Sequence, residues 1–145
     1  MGSQSLDPTA SFNTGGLELR IAARGSNAVL TLHNDGPDQL TVFSYVQGSL
    51  EQYDWFTIFI AGPAETCTLH LYDDRNASAR VTANLAPGQE VEHVIDVVAW
   101  AQRKPNGARP LAPGTYRMWA SYEVTEPGDV WTGKLVSPTV AITIP

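Results

Sequence analysis

From Leu17 onward the chain alternates apolar and polar residues with a period of two, in short runs separated by clusters of Gly, Pro, Asn and Asp. This period marks strands with one buried face, because successive side chains of an extended chain point to opposite sides. Leu17, Leu19, Ile21 and Ala23 form the first run, closed by Arg24-Gly25-Ser26. Ala28, Leu30 and Leu32 share a face of the second. Asn34-Asp35-Gly36-Pro37-Asp38 then supplies consecutive turn formers before β character resumes over residues 40–46. The most apolar stretch, Tyr53-Asp54-Trp55-Phe56-Thr57-Ile58-Phe59-Ile60, is aromatic and β-branched, which predicts a strand crossing the middle of a sheet. Gly62-Pro63 stops it. Residues 66–72 form the next strand, Asp73-Asp74-Arg75-Asn76 turns the chain, and Ala79, Val81 and Ala83 mark a shorter strand.

The tetrapeptide Leu-Ala-Pro-Gly then occurs twice, at Leu85-Ala86-Pro87-Gly88 and Leu111-Ala112-Pro113-Gly114, each time ahead of a new alternating run. Pro presets one turn residue and Gly permits the positive φ that a neighbouring position needs, so each copy reads as a turn that launches a strand. The sequences after the copies diverge at once, which argues against a repeat unit. Val91, His93, Ile95 and Val97 alternate after the first copy, while residues 96–102 fit either a continued strand or a short helical turn capped by Asp96. Residues 103–110 form a Pro/Gly/Asn-containing basic loop. After the second copy Tyr116, Met118, Ala120, Tyr122 and Val124 lie on one face, with Arg117, Trp119, Ser121 and Glu123 on the other. Glu126-Pro127-Gly128-Asp129 turns the chain toward Val130-Trp131-Thr132-Gly133-Lys134 and a last strand through Val140, Ile142 and Ile144. The pattern predicts an all-β, antiparallel, immunoglobulin-like sandwich of about seven to nine strands. Residues 17–145 make a single domain, and the polar, aperiodic residues 1–16 a flexible tail.

Composition narrows the functions. A formal net charge of −6, with no cluster among the nine Lys and Arg strong enough to track a phosphate backbone, points away from nucleic acid. No apolar run is long enough for a transmembrane helix. The segment Met1-Gly2-Ser3-Gln4-Ser5 lacks the basic and apolar regions of a signal peptide, which leaves a cytoplasmic location or secretion with the leader removed. Cys67 is the sole cysteine, so no disulfide forms within the chain, and its alternation with Leu69 and Leu71 predicts a small buried side chain.

Catalytic and metal motifs are not evident. No Gly-x-Ser-x-Gly elbow and no His-Glu-x-x-His pair occurs, and no residue is assigned a catalytic role. His33, His70 and His93 lie in separate strands without chelating spacing, so they read as solvent-facing or locally bonded, with His33 and His93 the two to examine. Neither Asp73-Asp74-Arg75-Asn76 nor Glu126 with Asp129 follows a calcium-loop pattern, and Asp and Asn are ordinary turn residues. No metal or cofactor is expected. Asn76-Ala77-Ser78 matches a glycosylation acceptor, relevant only to a secreted eukaryotic chain.

The string Leu111-Ala112-Pro113-Gly114-Thr115-Tyr116-Arg117 resembles the corner of immunoglobulin-like and fibronectin-like sandwiches, where a tyrosine opens a strand and bonds back to upstream backbone. That resemblance gives Tyr116, Pro113 and Gly114 a structural role. Asn34-Asp35-Gly36, Tyr53-Asp54-Trp55-Phe56 and Leu85-Ala86-Pro87-Gly88-Gln89-Glu90 follow one another in an order similar to the bacterial intracellular proteinase inhibitors of the BsuPI type. It implies a noncatalytic protein that acts on a protease.

Binding candidates follow from aromatic and basic residues. Trp131 sits beside a Pro-Gly turn, where a loop would display it, and Trp119 lies opposite the face that carries Tyr116. Arg103, Lys104, Asn106 and Arg109 occupy the loop expected to dock in a partner's groove. The expected function is a noncatalytic binding module that contacts another protein through loops at a sandwich end. The alternatives are a carbohydrate-binding module that uses exposed aromatics and a small enzyme with a loop-assembled site. An open edge strand would also allow a homodimer.

Overall fold

The computed structural model describes residues 16–48, 50–63, 65–72 and 79–145. Ten strands are present among them: β1 (Leu17–Arg24), β2 (Asn27–Asn34), β3 (Leu40–Gln47), β4 (Phe56–Ala61), β5 (Thr66–His70), β6 (Ala79–Leu85), β7 (Glu90–Asp96), β8 (Gly114–Val124), β9 (Gly133–Val136) and β10 (Val140–Ile144). All pair antiparallel. One sheet has the order β1-β2-β7, a second the order β10-β8-β4-β5 with β9 also on β8, and β3 and β6 form a two-stranded ribbon. The result is the all-β sandwich that the alternation predicts. Two expectations lie outside the described residues: the tail, apart from Gly16, and the segment 73–78 with its acidic turn and glycosylation acceptor.

Each strand turns its apolar set inward. Ile21, Leu30 and His93 align across the three-stranded sheet, as do Leu19, Leu32 and Val91. Phe56, Ile58 and Ile60 of β4 align with Tyr122, Ala120 and Met118 of β8, and these residues join one continuous core. At roughly 25 cal/mol per Å² of apolar surface removed from water, such rows are the main stabilising contribution in a chain without a disulfide.

Residues 96–102 contain both predicted elements in succession. Strand β7 ends at Asp96, and helix α1 (Val97–Ala101) follows, with the Asp96 carboxylate accepting from the Ala99 N–H at 3.1 Å. That bond satisfies a donor that the first helical turn leaves open. Trp100 and Ala101 go into the core, so the alternation of strand and the spacing of a short helix serve the same buried layer.

The two Leu-Ala-Pro-Gly copies adopt different turns. In the first, the Gln89 N–H donates to the Ala86 carbonyl at 2.9 Å and Gly88 has φ of 86°, the arrangement of a type II turn with Pro87 and Gly88 at its centre. Asn34 ties this turn down. Its backbone exchanges hydrogen bonds with Gly88 and Gln89, and its buried side chain donates to the carbonyls of Asp38 and Leu85. In the second copy Gly114 begins β8, and Tyr116 donates its hydroxyl to the Ala112 carbonyl at 2.7 Å. This is the tyrosine corner expected from the motif. The Tyr116 ring lies flat on Gly62, where any Cβ would come within 2.6 Å of it.

Candidate binding surface

The outward side of the five-stranded sheet carries an aromatic pair. Phe59 of β4 and Trp119 of β8 are direct cross-strand partners, their rings 5.5 Å apart and within 17° of parallel. Both are half-buried. Thr68 of β5 continues the same row, while Thr57 with Ser121 and Ala61 with Arg117 form the rows on either side. His70 lies beyond Thr57 on β5, its ring 5.6 Å from that of Tyr72, one of the two large exposed apolar side chains among the described residues. Trp119 therefore stands where alternation places it, on the face away from the core.

The loop 103–110 is built differently from a free docking finger. Its 3-10 turn (Lys104–Asn106) ends at Gly107, φ 90°, and Ala108 follows with φ of 51°. Asn106 does not point to solvent. Its Oδ1 accepts from the His70 N–H at 2.7 Å, and its Nδ2 donates to the carbonyls of His70 and Trp100, both at 2.9 Å. One side-chain amide thus takes the place of a neighbouring strand along β5 and occupies part of that edge. The Arg103 guanidinium lies 5.0 Å over the Trp100 ring. Lys104 and Arg109 remain exposed, with an Arg109 nitrogen 3.9 Å from the half-buried Cys67 sulfur. Of the four loop candidates, two are turned into the scaffold and two face outward.

Trp131 corrects the sequence reading. It is 8% exposed rather than displayed, its ring 5.7 Å from Tyr122 and packed on Gly133, where a Cβ would meet it at 3.0 Å. Its backbone N–H donates to the Thr41 carbonyl at 2.8 Å, which fastens the preceding loop to β3 and folds the indole inward. Trp100 is also buried, and Trp55 stacks on Phe43 at 4.4 Å.

No protein-family model matches the chain, and no curated protein is significantly similar to it. The likeness to the BsuPI-type inhibitors rests on the short motifs alone.

A polar cluster in the core, of which the sequence singled out only His93, resembles part of a catalytic site. Ser44 is the extra residue of a bulge between Phe43 and Tyr45, and its Oγ lies 2.9 Å from His93 Nε2. A bulge re-aims one side chain, here into the sandwich. Tyr45, Tyr53 and Phe56 surround the imidazole at ring separations of 6.1, 4.9 and 5.8 Å. Burial pushes the His93 pKa below the usual histidine value, opposed chiefly by the charge of Glu51. Tyr53, which donates to Glu51 at 2.9 Å, has its phenol pushed upward, chiefly by burial. A serine beside a neutral imidazole is the start of a nucleophile-base pair. Here Ser44 is 2% and His93 9% exposed, so a substrate carbonyl has no approach and the bond closes the core. The sequence left His93 as solvent-facing or locally bonded, and the structure shows it buried and bonded; its serine partner depends on the bulge, which leaves no signal in the sequence.

The remaining histidines are apart from it. His33, near the end of β2 in the same sheet as His93, lies 3.2 Å from Glu90 and 3.9 Å from Asp35, and His70 is at β5. Among the described residues no three His, Cys, Asp or Glu side chains gather as metal ligands. Among the described residues no helix is long and apolar enough to cross a membrane.

Proposed function

We propose that the protein is a noncatalytic recognition module, and that its principal contact surface is the outer face of the five-stranded sheet. One observation carries this reading: Phe59 and Trp119 stand side by side on the solvent side of a sheet whose core is already complete without them. A half-exposed aromatic pair contributes little to the interior, whereas aromatic side chains dominate the energetics of contact surfaces. The surrounding strands fix both backbones, so little conformational entropy is lost when a partner docks.

The sheet face displaces the loop 103–110 as the main contact. Asn106 and Arg103 are occupied by scaffold contacts, which leaves Lys104 and Arg109 as the basic side chains the loop can offer. A protease-directed role remains the second reading, favoured by the hydrogen bonds that hold this loop in one shape, from Ala108 to Arg103 and from Arg109 to Ala101. A preformed loop is what an inhibitor presents to a groove.

Two double variants separate the readings. Wild type, Phe59→Ala/Trp119→Ala and Lys104→Ala/Arg109→Ala are compared on glycan and peptide arrays and in a panel of serine and metallo proteases. Array binding lost in the first variant and kept in the second is the expected result. Protease inhibition that disappears only in the loop variant would transfer the function to the loop.

A further inference from the structure

We propose that the Phe59–Trp119 face takes a neutral polysaccharide chain, whose apolar C–H faces pack against the aromatic pair. This assignment rests on the recognition role given to that face and adds the chemical class of its ligand.

The argument begins with what flanks the pair. Sugar rings combine an apolar C–H face with a rim of hydroxyls, so a matching surface needs an aromatic centre and neutral hydrogen-bonding groups around it. Thr68 continues the Phe59–Trp119 row, and Thr57 and Ser121 occupy the next one. Thr66 lies beside Ala61 in the row on the other side. Ser121 is buried, so three threonine hydroxyls, of Thr57, Thr66 and Thr68, border the two rings, each able to donate and accept. An apolar lining with a few placed polar groups is the usual make-up of a ligand surface.

Charge distribution points the same way. The chain is acidic, with a net charge of −6; Glu18, Glu90, Glu92 and Asp96 lie on β1 and β7 of the other sheet, and on the aromatic face Glu123 of β8 is two rows from Trp119, opposite Lys134. The rows that contain Phe59, Trp119, Thr57 and Ser121 hold no Asp, Glu, Lys or Arg. Arg117, one row away, is the nearest charged residue in these strand pairings. A polyanion or polycation requires several opposite charges at such a surface, and a neutral polyol requires none.

Shape completes the case. The row passes from β5 across β4 to β8, so the contact is a strip on a sheet and not a closed pocket. A strip accommodates internal units of a chain and does not select its end. The two rings stack on each other with centres 5.5 Å apart, so together they form one apolar ridge across the strip, against which the C–H faces of a sugar chain can pack.

Affinity electrophoresis of the full chain tests the proposal, in native gels that contain mixed-linkage β-glucan, xylan, galactomannan or alginate, with a ligand-free gel as reference. At least one neutral polysaccharide is expected to retard the wild type, and Trp119→Ala and Phe59→Ala should each weaken that retardation about tenfold, as loss of a central aromatic anchor does. Thr66→Ala/Thr68→Ala changes two exposed side chains without risk to the core and should weaken it several-fold, which keeps the proposal testable if an aromatic variant fails to fold.

Absence of retardation by every neutral polysaccharide, or retardation by alginate alone, overturns the ligand class. A proline-rich peptide whose binding needs Trp119 also overturns the ligand class while leaving the recognition role of the face intact. Retardation unchanged in folded Trp119→Ala and Phe59→Ala overturns the role of the face itself.

Discussion

Replacement of Asn106 by alanine removes a side chain that makes three hydrogen bonds to main chain and covers part of the β5 edge. The bonds run to the His70 N–H and to the carbonyls of His70 and Trp100, at 2.7 to 2.9 Å. Each such bond contributes about 0.5–1.5 kcal/mol net, and water can replace some of them at a half-buried edge, so the expected loss is about 2–3 kcal/mol. For a domain of this size that corresponds to a fall in Tm of about 6–10 °C. Urea denaturation should show the midpoint falling with the slope unchanged, since the surface exposed on unfolding is the same. Asn106→Asp keeps the acceptor for His70 and loses both donors, so it should recover only part of the loss. Lys104→Ala, in the same turn but exposed, should stay within about 0.5 kcal/mol of wild type. If Asn106→Ala is as stable as Lys104→Ala, the amide does not hold the loop to the sheet. Freed backbone at β5 should also raise self-association, seen as a concentration-dependent increase in light scattering.

Three further perturbations test the core. Because burial lowers the folded-state pKa of His93, the unfolded chain takes up the proton first, so stability should fall as the pH drops below about 6.5 and level off once the folded-state value is passed; His93→Gln should flatten that dependence in urea titrations, and an unchanged slope would contradict it. Trp131→Ala removes an indole packed on Tyr122 and Gly133 and should cost about 3–5 kcal/mol by thermal denaturation, whereas a near-neutral result would mean the ring is displayed after all. Gly62→Ala places a methyl group 2.6 Å from the Tyr116 ring and should destabilise by about 1–3 kcal/mol, with Gly88→Ala a contrasting case in which φ of 86° and not crowding sets the cost.

Much of the scaffold was legible because its determinants are local. Period-two alternation located the strands, the tetrapeptide copies located two turns, and the resemblance of residues 111–117 to a sandwich corner announced a bond from Tyr116 to upstream backbone. The alternation around Trp119 also placed that residue correctly on the outer face. Phe59 was visible only as one ring in an apolar strand, since its partnership with Trp119 depends on the register between β4 and β8, which joins residues far apart in sequence. Trp131 misled because a tryptophan beside a Pro-Gly turn has the local features of a displayed side chain, and only the bond from its N–H to Thr41 reveals that the loop folds back. Asn106 misled in the same way: an Asn-Gly pair reads as solvent-exposed turn chemistry, and the His70 backbone it satisfies lies in another element. The Ser44–His93 bond required a bulge, and a bulge is a difference between two strands that neither strand carries alone.

The outer face of the five-stranded sheet is the central claim, and the indole N–H signals of the four tryptophans report on it directly. In a ¹H–¹⁵N spectrum recorded during titration with oligosaccharides from the neutral polysaccharide that retards the protein most, Trp119 should shift and saturate. The buried Trp100 and Trp131 should stay in place. Shifts confined to Trp131 or to the amides of residues 103–110, with Trp119 unmoved, would contradict the account.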